Sequence, residues 1–315
     1  MISQLFYPAD AMTIKRFSDK PEPIPFLVEG IIPKETVGAV YSPGGLGKST
    51  IIYMLGLQVA LSTIKEMYWL GQYKIQNGGR VLYISSEDPE IILHHRHYEM
   101  VHRLAEELKL SISDIETILA DNLYVLNLCG KAEPLMTLSD GKVTKSELYD
   151  RIKNTIKEYK PTLVVIDTKA KFSGLSENDN SLVSQEIIGY EALIKDTGAN
   201  LILLHHTTKS ATTFRGASSF LDSLRWGIHL KALDENYTEF LGISSEDKDL
   251  YFQLENSKQN YTRKIRPIVV KRIDKYWFDK IEVAECPKKN RIDDVLNRIS
   301  SYMIENGNNG FTQFS

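Results

Sequence analysis

Cysteine is scarce: the 315-residue chain has two. Cys129 and Cys286 stand far apart without metal-ligand spacing, which excludes a disulfide framework and fits a reduced, cytoplasmic setting. No apolar run is long enough to cross a bilayer, and residues Met1 to Arg16 lack the apolar centre of a signal peptide, so no membrane partner is expected. Charge of one sign is also missing. Lys and Arg number 38 against 41 Asp and Glu, a formal net charge of -3. A nucleic-acid surface, if there is one, must therefore be a local patch. There is no internal repeat and no low-complexity tract. With 42% hydrophobic and 25% charged residues, the chain has the composition of a folded protein.

What is present is an alternation of short apolar runs with longer helical ones. Residues 1–36, punctuated by Pro8, Pro21, Pro23 and Pro25, read as an extended N-terminal arm. Strands are expected at Val37–Tyr41, Arg80–Ser85, Leu123–Leu128, Thr162–Ile166 and Asn200–Leu204. Helices are expected at Lys48–Leu61, Asp88–Leu110, Ser146–Tyr159 and Leu182–Asp196, the last ended by Gly198. Two strands are apolar throughout, as strands covered on both faces are. The pattern predicts an α/β core over residues 37–285: a mostly parallel central sheet flanked by helices, with an antiparallel β extension beyond Trp226. Residues 286–315 read as a C-terminal helical tail, either natural or the start of a further domain.

The segment Ser42-Pro43-Gly44-Gly45-Leu46-Gly47-Lys48-Ser49 lies between the first strand and the first helix. Its glycines let backbone N–H groups turn inward around phosphate oxygens, and the helix N-terminus adds partial positive charge. Lys48 is placed to reach the β- and γ-phosphates of ATP, and Ser49 to ligate Mg²⁺. Pro43 through Thr50 form the expected cofactor-binding run. Ser42 stands where such loops usually carry their first glycine, and Pro43 fixes φ behind it.

Asp167 ends a buried strand and is the candidate second holder of Mg²⁺. Glu87 follows the second strand and is the candidate base that polarises the attacking water, with Asp88 assigned as the cap of the next helix. Of the pair His205-His206 at the end of the third apolar strand, His206 is favoured to face the nucleotide. His94, His95, His97 and His102 read as a polar helix face, because consecutive helical residues point apart and no cysteine joins them.

Taken together these residues resemble the RepA-type replicative helicases of plasmids, within the RecA-like P-loop ATPases. The resemblance rests on the loop above, Ser86-Glu87-Asp88-Pro89 with His94-His95-Arg96, Val165–Thr168, Leu204-His205-His206, Arg215–Ser219, Asp222–Trp226 and Ser257–Tyr261. It implies a RecA-like core, a homo-oligomeric ring of six, ATP and Mg²⁺ at each interface, and single-stranded DNA through the centre. It implies Arg225 as the finger supplied to a neighbour, with Lys258 assisting where relatives carry a Lys-x-Arg pair. Here Asn260 replaces that arginine, which leaves Arg263 as an outside candidate. Loops at 169–181 and 207–219 are expected to offer Lys169, Lys171, Lys209 and Arg215 to DNA.

The leading functional expectation is an ATP-dependent DNA helicase or translocase in replication of a plasmid, phage or similar element, with primase or a replication initiator as further partners. The alternative is a nucleotide-switched, DNA- or protein-binding regulatory ATPase without processive unwinding. A third is a helicase module of a larger primase–helicase.

Overall fold

A computed structural model describes residues 20–207 and 218–283. The expected tail at 286–315 and the two loop cations Lys209 and Arg215 lie outside these residues.

The described chain opens with a hairpin of β1 (Phe26–Val28) and β2 (Ile32–Pro33), then β3 (Val37–Ser42) and α1 (Lys48–Leu61). A small ribbon, β4 (Tyr68–Trp69) and β5 (Tyr73–Lys74), leads to β6 (Val81–Ser85), α2 (Glu90–Leu108), α3 (Ile112–Asn122) and β7 (Leu123–Asn127). Next come β8 (Met136–Ser139), β9 (Lys142–Lys145), α4 (Glu147–Tyr159) and β10 (Leu163–Asp167). A short α5 (Lys169–Phe172) and β11 (Ser173–Gly174) precede α6 (Asn180–Ile194), β12 (Asn200–His206), α7 (Ser218–Ser223) and β13 (Trp226–Ala232). After α8 (Glu235–Phe240) the chain ends its described part in β14 (Tyr251–Gln259), β15 (Ile268–Asp274) and β16 (Trp277–Lys280).

The central sheet has nine strands in the order β16-β15-β14-β13-β3-β12-β10-β6-β7. From β13 to β7 every pairing is parallel, and β14 to β16 add antiparallel. The mixed α/β architecture and the antiparallel extension are as expected.

Side chains of a strand alternate between faces, and here the alternation sorts them into two cores. Val81 and Tyr83, Leu163 and Val165, Ile202 and Leu204 pack on the α1 side. Leu82 and Ile84, Val164 and Ile166, Leu201 and Leu203 pack on the other, against α4 and α6. Burial on both faces explains the unbroken apolar runs. Helix α1 is buried on nearly every side, so it carries no polar stripe.

Two expectations fail. Residues 26–33, assigned to an extended arm, fold back into the core, where Leu27, Val28, Ile31 and Ile32 are at most 1% exposed. Their apolar pairs outweigh the nearby prolines that suggested an arm. The long helix expected to run to Leu110 stops at Leu108, with Lys109 in the left-handed region, and α3 follows with Ser111 as its cap.

Gly38 in β3 is required by a close approach: a Cβ there would meet the Trp226 indole at 2.0 Å. Trp226 is fully buried, and its Nε1 donates to Thr36 Oγ1 at 3.0 Å. Replacing Gly38 by alanine is expected to lower the stability by about 1–3 kcal/mol, the usual cost of overpacking, read as a fall in Tm. An unchanged Tm would show that the indole can move aside.

Candidate active site

Strand parity and register bring the chemistry to one edge. Asp167 continues the parity of Leu163 and Val165, and His206 that of Ile202 and Leu204, so both emerge on the α1 side. Asp167 is level with Ser85, and His206 with Ser42. His205, of opposite parity, lies buried on the far face, 5.1 Å from the Phe220 ring between centroids. Burial pushes its pKa down to about 4, so it is neutral at physiological pH. The structure thus points His206, not His205, at the loop.

The loop after β3 turns through Gly45 (φ 84°) and Gly47 (φ 99°), both in the left-handed region that glycine alone enters without strain. Lys48, the first residue of α1, is 4% exposed. Its ammonium donates to Ser42 Oγ at 3.0 Å, the Ser42 carbonyl at 3.3 Å and His206 Nδ1 at 3.1 Å. Burial lowers its pKa to about 8, against the opposing pull of Asp167 and Glu87. Thr50 follows in the buried first turn of α1.

An ammonium can only donate, so His206 Nδ1 accepts and its proton sits on Nε2. That nitrogen lies 3.3 Å from Glu87 Oε2. Lys48, His206 and Glu87 thus form a hydrogen-bonded chain across the mouth of the loop. The Glu87 main chain is held too, its carbonyl accepting from Cys129 Sγ at 3.3 Å.

Asp167 is 3% exposed. It accepts from Ser49 Oγ at 3.1 Å and from Tyr83 OH at 2.7 Å. Burial raises its pKa, and those two donors work against the rise. Ser86 Oγ donates to the Asp167 carbonyl at 2.9 Å and accepts from the Thr168 N–H at 3.0 Å. Thr168 Oγ1 donates to the Leu204 carbonyl at 2.8 Å. These bonds lock the ends of β6, β10 and β12 together.

Asp88 corrects an expectation. It does not cap α2, whose N-cap is Pro89. Instead it accepts from Arg96 Nη2 at 2.6 Å, one to two turns into the helix. The short carboxylate was read as a cap because caps are local, whereas its partner is set by how α2 folds back.

Arg225 and Lys258 are not brought to this edge. Trp226 pairs with Gly38 and Gly227 with Lys258, so both residues sit at the opposite end of β3, about 13 Å of strand from Ser42. Arg225 is exposed. Lys258 Nζ donates to the carbonyls of Leu221, at 2.8 Å, and Asp222. Lys258 therefore does not touch this chain's own nucleotide loop.

Of the expected DNA cations, Lys171 is exposed. Lys169 is not. It is 1% exposed and pairs with Glu177 and Glu186, each at 2.9 Å. The segment read as a loop begins with the short helix α5, which turns Lys169 inward. Among the described residues there is no group of three or more His, Cys, Asp or Glu that could hold a metal ion. His97 is more than surface: its Nδ1 lies 3.0 Å from Tyr53 OH.

Residues 6–212, more than half of the chain, match the family model described as an AAA domain. The chain belongs to the AAA domain family. As an AAA domain it belongs with the P-loop ATPases, and the match spans the loop from Ser42 to Ser49. The donor set fits ATP with Mg²⁺: an ammonium, a helix N-terminus and glycine-flanked N–H groups for phosphates. Ser49 and Asp167 give hard oxygen ligands of the kind Mg²⁺ prefers. Ser86, Thr168 and Arg96 lie in the motifs that carry the resemblance but have no role there; their contacts, like that of Tyr83, supply one.

Lys48 must carry its proton to hold phosphate oxygens. Above about pH 8 the free protein's Lys48 is largely neutral, so binding must recruit a proton. Calorimetry of Mg·ATP binding at pH 8.5, in buffers of different ionisation heat, is expected to show net proton uptake that disappears at pH 7. Uptake equal at both pH values would place the Lys48 pKa elsewhere.

Proposed function

We propose that this AAA domain protein is an ATP-dependent DNA helicase or translocase that works as a ring of like subunits on single-stranded DNA. The family to which it belongs is often found in replicative helicases. The observation that carries the ring is the placement of Arg225. It is exposed at the end of the sheet opposite the nucleotide loop, so its guanidinium can serve only a nucleotide bound by another subunit. A neighbour's arginine is typically worth roughly 10³–10⁵ in rate, which makes hydrolysis depend on assembly.

In this reading the loop N–H groups and Lys48 hold the β- and γ-phosphates. Ser49 and Asp167 hold Mg²⁺, which when bound draws charge from the phosphate oxygens. Glu87 takes the proton of a water that attacks the γ-phosphorus, and the bond to the β–γ bridging oxygen breaks to release ADP. His206, already bonded to both Lys48 and Glu87, changes partners when the γ-phosphate leaves. His206 ends β12, so loss of the phosphate is felt at the end of that strand. Of the four cations expected to meet DNA, Lys171 is described and exposed.

The burial of Lys169 removes one expected DNA contact and favours, as second reading, a nucleotide-switched regulatory ATPase. Two measurements separate the readings. Single-stranded DNA is expected to stimulate ATP hydrolysis severalfold, and indifference to DNA would move the assignment to the regulator. Lys48→Ala and Arg225→Ala proteins should each hydrolyse ATP at roughly a thousandth of the native rate or less. Mixed together they should regain a measurable fraction, because some interfaces then pair an intact loop with an intact arginine. No recovery on mixing would overturn the shared site.

A further inference from the structure

Arg272 lies 226 residues from its contact on the nucleotide loop, in a strand that the mechanism above does not use. Its Nη2 donates to the Leu46 carbonyl at 3.0 Å. The guanidinium carbon sits 5.0 Å from the Phe252 ring centroid and 5.2 Å from that of Phe278. Two aromatic rings thus hold the planar group by cation–π contact. The rings meet edge to face with centroids 5.8 Å apart. Burial lowers the pKa of Arg272, and its Nε is buried without a hydrogen-bond partner. A half-buried guanidinium thus lies against two apolar rings and bonds a main-chain carbonyl.

The contact has a geometric counterpart one residue on. A Cβ on Gly47 would lie 2.6 Å from Phe278 Cζ and 2.9 Å from Arg272 Nη2. The outer face of the loop therefore rests directly on β15 and β16. A loop that turns its N–H groups inward to phosphates turns carbonyls outward, and an outward carbonyl needs a donor. Arg272 is that donor at Leu46.

We infer that Arg272, packed beside Phe252 and Phe278, is a positioning residue that holds the phosphate loop in its binding shape, so that the antiparallel extension is part of the nucleotide site. The inference rests only on the phosphate-binding role of the loop and stands whether or not the protein moves on DNA. It acts on the triphosphate part of the ligand and is indifferent to the base. Flat, five-donor arginine suits the place, since two rings lie beside the guanidinium while an N–H stays free to donate to Leu46.

The test compares Mg·ATP with inorganic tripolyphosphate, by calorimetry on the full chain, alongside steady-state kcat and KM. Arg272→Met keeps an unbranched stem and removes the donor. It is expected to weaken both ligands by the same factor, about tenfold, with kcat at saturation within about twofold of native. Arg272→Gln keeps an amide N–H for Leu46 and should restore part of the affinity. Weakened ATP with unchanged tripolyphosphate would assign the guanidinium to the base and overturn the inference. So would unchanged affinity for both ligands, or a fall in kcat with affinity kept. Should Arg272→Met fail to fold by circular dichroism, Phe278→Leu carries the test, because it removes one of the two rings beside the guanidinium and leaves the arginine. Equal loss for both ligands is again expected, and unequal or absent loss again overturns the inference.

Discussion

Parallel strands in fixed register, alternating their side chains with period two, are the constraint on which the rest of this molecule depends. Register sets how far each strand reaches, and parity sets which face its last residue leaves from. Together they deliver Ser42, Tyr83, Asp167 and His206 to the α1 side of one edge. A slip of one residue in β10 would send Asp167 to the far face and leave Ser49 without its partner. Close packing resists that slip, since it would exchange side chains of different shape between two separate cores. Catalytic geometry is thus enforced by apolar burial far larger than any single polar contact.

The polar groups at that edge are arranged under tension with their surroundings. Lys48 and Asp167 are both nearly buried, and burial disfavours the charged form of each. Lys48 is tied to Ser42 and His206, and Asp167 to Ser49 and Tyr83. Each tie satisfies hydrogen-bonding capacity while leaving charge to be met by a ligand of opposite sign. A triphosphate answers the ammonium and a hard cation answers the carboxylate, which makes Mg·ATP the natural occupant. The same logic explains the rigid surround of Ser86 and Thr168, which stops the strand ends from relaxing away from the burial.

Much of this was legible in the sequence because it is local or periodic. The loop from Ser42 to Ser49 is one continuous run between a strand and a helix, and α1 begins and ends where expected. Asp167 and His206 sit at the ends of apolar runs too short to be helices. What escaped depends on contacts that no local pattern marks, some of them distant in sequence. Asp88 looked like a cap, but α2 brings Arg96 around to it. Lys169 looked solvated, but α5 and α6 bring Glu177 and Glu186 against it. Residues 26–33 looked like an arm because their prolines are visible and their partners in the core are not. Arg225 and Lys258 carried no positional signal, and only the pairing of β13 with β3 places them at the far end of the sheet. Arg272 could not be read at all, since neither its rings nor the Leu46 carbonyl is near it along the chain.

The account stands or falls on Glu87 as the group that takes the proton from water at this edge. The most direct measurement is single-turnover ATP hydrolysis by the Glu87→Gln protein, with nucleotide affinity measured on the same sample. Loss of a positioned base should slow hydrolysis by roughly 10²–10⁴ while Mg·ATP still binds within a few fold of native affinity. Hydrolysis near the native rate would contradict the account, and would send the search for the base away from the Lys48–His206–Glu87 chain.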